Sequence, residues 1–356
     1  MLYSIRMLYL KYRPRTVGEL DNSTAREALG KLLATKKLPH AFLFTGQKGT
    51  GKTSSARILA KAVNCLENSY SGKSDSYEPC NKCANCKSID SGSSPDVFEL
   101  DAASNRGIDE VRNLIKEAGF APMAGNYRVF IIDEAHMITN DAFNALLKTL
   151  EEPPPSVIFI LATTNEEKVP KTIVSRCYAI KFSSAVKLDI KLKLNKIIKQ
   201  ENMRLPDGVV DLISQHSEHS FRDAIRLLEE LIVQNKLTEE EAAQYLGVRT
   251  TEGILELLDK DESKDALQWV EEHVKTGGSI KHLIADLIDA TRDHLMKLKG
   301  VDVDSPTSLH LTVQESMVLI KSLQEAYASL RITPIESLPL EIALIEFYNY
   351  KNRNTK

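Results

Sequence analysis

Between an apolar run, Ala41-Phe42-Leu43-Phe44-Thr45, and a helical pattern from Ser54 to Val63, the chain places Gly46-Gln47-Lys48-Gly49-Thr50-Gly51-Lys52-Thr53. This is a complete G-x-x-x-x-G-K-[ST] phosphate loop, in the strand, loop and helix order that gives the motif its meaning. Glycines let the backbone curl until several N–H groups point at one polyphosphate, and the following helix N-terminus, opening through Ser54, adds positive potential. Lys52 is expected to reach the β and γ phosphates of a nucleotide, and Thr53 to ligate its Mg2+. A fold that fails to set a buried strand directly before this loop is excluded.

At 356 residues the chain is long enough for two or three domains, each with its own core. Its formal net charge of −3 announces neither a nucleic-acid binder nor a membrane-surface protein, so any DNA contact must come from a local patch. No run of eighteen uncharged apolar residues occurs, no signal-peptide pattern opens the chain, and a cytoplasmic protein without membrane contact is expected. Met1-Leu2-Tyr3 is echoed by Met7-Leu8-Tyr9, which raises Met7 as an alternative start.

Four of the five cysteines, Cys65, Cys80, Cys83 and Cys86, fall in one short stretch, three of them spaced C-x-x-C-x-x-C. In a reducing compartment such clustering reads as metal before disulfide. Four thiolates would close a tetrahedral Zn2+ shell and leave no open position for catalysis, so the site is expected to be a structural knuckle. The intervening Glu67 to Pro79, rich in Ser, Asn, Gly and Lys, reads as a solvated excursion.

Further apolar runs at Val97 to Leu100, Arg128 to Ile132, Val157 to Ala162 and Tyr178 to Phe182 alternate with helical stretches. Together with Ala41 to Thr45 they predict an α/β fold with five parallel strands, apolar on both faces, whose ligands gather beyond the strand carboxyl ends. The polar residues stand there. Asp133-Glu134 closes the run from Val129 in the Walker B manner, with Asp133 expected to hold Mg2+ and Glu134 to orient and deprotonate the attacking water. His136 reads equally well as a site residue or as one that simply caps or packs. Thr164, with Asn165 second, ends the neighbouring run where a hydroxyl could bond both the γ-phosphate and the lytic water.

These motifs occur in one order with Phe143-Asn144-Ala145-Leu146-Leu147-Lys148-Thr149-Leu150-Glu151-Glu152-Pro153-Pro154, Leu161-Ala162-Thr163-Thr164 and Ser175-Arg176-Cys177. The set closely resembles the gamma/tau family of bacterial DNA polymerase III clamp-loader subunits, which are AAA+ ATPases. The resemblance is dense from Lys11 to Glu230. It implies an AAA+ P-loop core over 1–182 with a zinc module at 65–86, a three-helix lid over 183–246 and a helical collar over 247–356. It also implies ATP as the nucleotide, Arg176 as an arginine finger reaching a neighbouring subunit's site, and Arg222, within Ser220-Phe221-Arg222-Asp223, as a second sensor. The family has Gly before that Ser; this chain has His219. Tyr12-Arg13-Pro14 resembles the segment that packs on adenine, although Asp21-Asn22-Ser23 replaces the family's Val-Gly-Gln.

By the same resemblance the chain is a motor subunit of the DNA polymerase III holoenzyme that loads a sliding clamp onto primer–template DNA without sequence preference. Its implied partners are copies of itself, delta and delta-prime subunits, and the clamp. The chain looks like the short gamma type, with no Pro-rich or basic segment after the collar. Two other functions compete. A non-hydrolysing scaffold like delta-prime shares Ser175-Arg176-Cys177, but Lys52, Thr53, Asp133 and Glu134 are intact. A DEAH-type helicase is raised by Asp133-Glu134-Ala135-His136, but the helical second half supplies no second RecA-like domain.

Overall fold

The computed structural model describes residues 7–246, 252–260, 263–275, 278–303, 309–330 and 332–354. Met1, to which Met7 is the alternative start, and the expected lid–collar boundary at Gly247 lie outside the described residues. The chain divides into two compact units, Met1–Arg204 with Ile213–Glu230, and Leu205–Leu212 with Leu231–Lys356.

The first unit begins with α1 (Leu8–Lys11) and α2 (Ser23–Thr35), followed by β1 (Ala41–Thr45), α3 (Lys52–Asn64) and α4 (Ala84–Ser91). Then come β2 (Val97–Asp101), α5 (Ile108–Ala118), β3 (Arg128–Asp133), α6 (Asn140–Glu151), β4 (Val157–Thr163), α7 (Lys171–Val174), β5 (Tyr178–Lys181) and α8 (Lys187–Gln200). The five strands form one parallel sheet in the order β2-β3-β4-β1-β5. This is the five-stranded parallel α/β sheet that the apolar runs predict.

Every residue of β1 and β4 is buried, as the unbroken apolar runs demand, because helices cover both faces of the sheet. On one face Phe42, Phe44, Val129, Ile131 and Ile160 pack with Leu29 and Leu33 of α2 and Leu59 and Val63 of α3. On the other, Leu43, Phe130, Ile132 and Leu161 pack with Val111 of α5 and Phe143, Leu146 and Leu150 of α6. The expectation of burial on both faces fails for β2 and β5. These are the edge strands, and both are partly exposed, β5 keeping only Ile180 buried.

Between β1 and β4 the register pairs Thr45 with Thr163, while Ala102 N–H donates to the Asp133 carbonyl at 3.0 Å. The sheet therefore brings the carboxyl ends of β1, β3 and β4 to one edge, where the phosphate loop begins. Two further helices, α9 (Asp207–His216) and α10 (Phe221–Val233), follow α8, and each crosses a boundary between the two units.

The second unit contains α11 (Glu239–Tyr245), α12 (Glu252–Leu258), α13 (Ser263–Lys275), α14 (Ile280–Leu298), α15 (Val313–Ser329) and α16 (Leu338–Asn354). Its core joins Ile254 and Leu258 to Val270, Leu283, Ile284, Leu287, Leu319, Leu323, Leu344 and Phe347. Trp269 packs beside that core and stacks on His273 with ring centroids 5.1 Å apart. Among the described residues no helix is long and apolar enough to cross a membrane.

Candidate nucleotide cleft and cysteine cluster

The phosphate loop works because of where its glycines stand. Gly49 and Gly51 take φ of +78° and +99°, left-handed conformations that side chains resist. A Cβ on Gly46 would lie 2.4 Å from the Phe182 carbonyl oxygen, and one on Gly49 would lie 1.8 Å from Ser220 Oγ. The loop is thus pressed against β5's exit on one side and the start of α10 on the other. Gly51 then caps α3, whose first residue is Lys52.

The loop opens into a cavity of about 420 Å3. Lys48 to Ser54, Asp133, Glu134, Tyr12, Arg13, Pro14 and Arg222 all line it. Lys52 is buried, and its Nζ donates to the Gly46 and Gln47 carbonyls at 2.7 and 2.8 Å. Burial pushes its pKa down, with Glu134 and Asp133 acting in the other direction. Thr53 Oγ1 donates to Asp133 Oδ2 at 2.6 Å, so the expected two Mg2+ ligands already face each other. Glu134, at φ +47°, accepts a hydrogen bond from Thr164 Oγ1 at 3.0 Å.

Arg13 Nε donates to Ser54 Oγ at 2.8 Å, and its pKa is lowered by burial and then by the nearby Arg57. Tyr12 is turned by its phenol, which donates to Glu201, and burial with that bond pushes its pKa up to about 12. Ser220 Oγ accepts the Asp223 N–H at 3.1 Å, the helix start read from sequence, and Arg222 in that first turn sits 5.4 Å from the Tyr9 ring centre. His219, standing where the family has Gly, takes φ +58°. Its Nδ1 bonds the Ala185 carbonyl at 3.0 Å, and the Ala185 N–H donates back to the His219 carbonyl at 3.1 Å. The backbone shape that Gly would supply freely is here held by a side chain.

At the far end of α3, Cys65 is the C-cap residue. The sulfurs of Cys65, Cys80, Cys83 and Cys86 all lie within 4.8 Å of one another. A tetrahedral Zn2+ with sulfurs at ~2.3 Å needs S···S edges of ~3.8 Å, so the cluster has the right size and donor set. The knuckle turns at Asn81, with φ +56°, and the Lys82 and Cys83 N–H groups point at Cys80 Sγ at 3.4 and 3.2 Å. Burial alone would raise the Cys80 pKa, but these N–H groups and the neighbouring thiols lower it to about 7, toward the thiolate that metals bind.

The excursion from Glu67 to Pro79 is only partly solvated. Asn68 is buried and donates to the Ala62 and Tyr77 carbonyls at 2.7 and 3.0 Å, while Tyr70 and Tyr77 pack on the core beside α2 and α3. Composition hid this because two aromatics and one satisfied amide anchor an otherwise polar loop.

Comparison with known proteins agrees with the architecture. A family model described as "DNA polymerase III, delta subunit" matches residues 22–185. DNA polymerase III subunit tau of Bacillus subtilis is 38% identical over 362 residues, covering 96% of this chain and 63% of that protein. DNA polymerase III subunit gamma of Buchnera aphidicola is 38% identical over 262 residues, covering 73% of this chain and 69% of its own length. The chain belongs to the DNA polymerase III gamma/tau family. It spans under two thirds of the length of the Bacillus subtilis relative.

Against this family background four expected nucleotide-site residues do not line the cavity: Gly46, Gln47, Thr164 and Arg176. Arg176, just after α7, donates to Glu151 Oε1 at 2.5 Å and to the Thr172 carbonyl at 2.6 Å, and does not line the cavity. Thr164 likewise lies outside the cavity lining and reaches it only through Glu134. Sequence reasoning missed Tyr9, Asn22, Phe221 and Ile225 as cleft residues. Of these only Asn22 carried a signal, since Asn before Ser23 reads as a helix cap. Its Oδ1 accepts the Ala25 N–H at 3.1 Å and its Nδ2 donates to the Ser183 carbonyl at 2.8 Å. Beside it Asp21, also a lining residue, is ion-paired with Lys193 at 2.9 Å.

Proposed function

We propose that this chain is the ATP-hydrolysing motor subunit of a clamp loader, binding Mg2+–ATP in the cleft and using its turnover to open a sliding clamp and release it on primed DNA. The observation that carries this reading is the pairing of Thr53 with Asp133 and of Glu134 with Thr164 at the mouth of the phosphate loop. In the proposed mechanism the Gly46–Thr53 N–H groups and Lys52 cradle the phosphates, and Lys52 exchanges its two carbonyl partners for phosphate oxygens. Thr53 and Asp133 would hold the Mg2+, which would supply positive charge to the transferring phosphoryl group. Glu134 orients and deprotonates water, and Thr164 fixes Glu134. Arg222 approaches the nucleotide from α10, and Tyr12, Arg13 and Pro14 border the base.

Arg176, held at the surface by Glu151, would act on the cleft of the next subunit in a ring of gamma copies with delta and delta-prime. Residues 1–182, 183–246 and 247–356 would serve as core, lid and collar, and Cys65, Cys80, Cys83 and Cys86 as a structural Zn2+ knuckle. DNA would be gripped through its phosphates, without sequence preference, by a cytoplasmic complex. The family model named for the delta subunit leaves a scaffold role as the second reading, against which the intact Lys52, Thr53, Asp133 and Glu134 weigh.

The test is steady-state ATP hydrolysis by the full chain assembled with its delta and delta-prime partners, with and without clamp and primed DNA. Stimulation by both, abolished by Lys52→Ala, is the expected result. Turnover indifferent to clamp and DNA overturns the clamp-loader reading, and nucleotide binding without turnover restores the scaffold.

A further inference from the structure

His136, which sequence reading divided evenly between a site residue and a cap or packing residue, occupies a position whose hydrogen-bond arithmetic can be completed. It lies in a single 3-10 turn, Ala135–Met137, directly after Glu134. Its Nδ1 is 3.1 Å from Thr163 Oγ1 and 3.4 Å from Glu134 Oε2, and its side chain is mostly buried. Thr163 is fully buried at the end of β4. Its hydroxyl donates to the Asn165 carbonyl at 3.1 Å and accepts the Asn165 N–H at 3.1 Å.

A hydroxyl owns one proton and two lone pairs. Thr163 has spent its proton on Asn165, so toward His136 it can only accept. An ionised Glu134 carboxylate can also only accept. With the Thr163 proton on the Asn165 carbonyl, both oxygens facing Nδ1 are acceptors, and the arrangement favours the proton on Nδ1.

We propose that His136 is a positioning residue for Glu134: its Nδ1–H, anchored on the buried Thr163 hydroxyl, presents a fixed donor edge to Oε2, the same carboxylate oxygen that Thr164 bonds. Two adjacent residues at the end of β4 then reach the same carboxylate, Thr164 directly and Thr163 through the imidazole. Glu134 sits at φ +47°, where its own backbone does not favour it, so side-chain partners are what fix its direction. The role rests on the hydrolysis reading above, because a carboxylate needs such aim only if it acts on a water.

The test uses the full chain in the assembled clamp loader, with His136→Ala, His136→Asn, Thr163→Val and Lys52→Ala compared with wild type. An Asn amide can restore a donor at the Nδ1 position; Ala cannot. His136→Ala is expected to lower kcat about 10- to 100-fold, the usual scale for a misplaced reacting group. KM and affinity for a non-hydrolysable ATP analogue should shift less than about twofold. His136→Asn should recover most of the rate, and Thr163→Val should reproduce part of the loss. Imidazole 15N spectra of the nucleotide-free protein should show the Nδ1–H tautomer. Wild-type kcat in His136→Ala, equal slowing in Ala and Asn, or an Nε2–H tautomer would each overturn the proposal. Wild-type turnover that Lys52→Ala does not remove would instead overturn the hydrolysis reading beneath it.

Discussion

One helix, α3, ends in two different kinds of site. Its N-terminus opens the nucleotide cleft at Lys52, and its C-terminus hands over to Cys65 of the cysteine cluster. At the cleft several polar groups have an internal partner standing where a ligand would: Lys52 on two loop carbonyls, Thr53 on Asp133, Thr164 on Glu134. Exchange there costs little, because one hydrogen bond replaces another. In the cluster, four sulfurs crowd together with N–H groups directed at them, and burial raises the Cys65 and Cys86 thiol pKa values. A bound cation would relieve that arrangement. On the proposed reading, the difference separates a site suited to a ligand that leaves from one suited to an ion that stays.

The sharpest break in the comparison concerns completeness. The cluster draws all four ligands from one short stretch, whereas Arg176 lies outside the cleft it would serve. Arg176→Ala is therefore expected to cost ~10³- to 10⁵-fold in turnover by the assembled complex, the range for arginine fingers, while leaving zinc content unchanged. Mixing that variant with Lys52→Ala subunits should restore turnover at interfaces that pair a good cleft with a good finger. Turnover indifferent to Arg176 would make the cleft as self-contained as the cluster.

Next in size is removal of the metal. Chelation, or Cys86→Ser, should lower stability by several kcal/mol, since binding energy at a structural zinc site is folding energy. The Asn85 side chain, which donates to the Asn64 and Ala124 carbonyls at 2.9 Å, should lose its protection in amide and side-chain exchange. Nucleotide affinity measured below the lowered melting point should stay within about tenfold, which is ~1.4 kcal/mol. A larger loss in folded protein would show that α3 couples its two ends.

The sheet and both α3 sites were legible because they rest on local signals. All five strands appear within one or two residues of the apolar runs, and the cysteines lie together as C-x-x-C spacing requires. What stayed hidden depends on partners far apart in sequence. Tyr12 is turned by Glu201 and Asp21 by Lys193, pairings that no window of residues reveals. Asn68 looked like loop chemistry until the Tyr77 carbonyl came within 3.0 Å of it. The exposed edges of β2 and β5 were missed for a related reason: an apolar run gives burial, but strand order decides which runs stand at the margin.

Within the cleft itself, a smaller effect measures how tightly the loop is held. Gly49→Ala must place a Cβ 1.8 Å from Ser220 Oγ at a φ of +78°. The left-handed backbone alone costs roughly 1–2 kcal/mol for a residue with a Cβ. Ser220 must also move, and with it the cap on the Asp223 N–H. Weaker nucleotide binding by about tenfold or more, read by isothermal titration, is expected. Binding unchanged in Gly49→Ala would mean that the loop and the start of α10 are not in firm contact.

His219 offers the finest test of the same junction, because here a side chain does what glycine does elsewhere in the cleft. At φ +58° a non-glycine residue carries backbone strain, and the bond from Nδ1 to the Ala185 carbonyl at 3.0 Å opposes it. A hydrogen bond contributes a net ~0.5–1.5 kcal/mol, close to the strain it offsets. His219→Ala keeps the strain and drops the bond, so a loss of about 1 kcal/mol in denaturant unfolding is expected. His219→Gly drops both together. Its stability should fall within about 0.5 kcal/mol of the parent, and the gap between the two variants isolates the strain from the bond. Equal destabilisation by Ala and Gly would show that the imidazole's contact, rather than backbone conformation, is what holds Ser220 against Gly49.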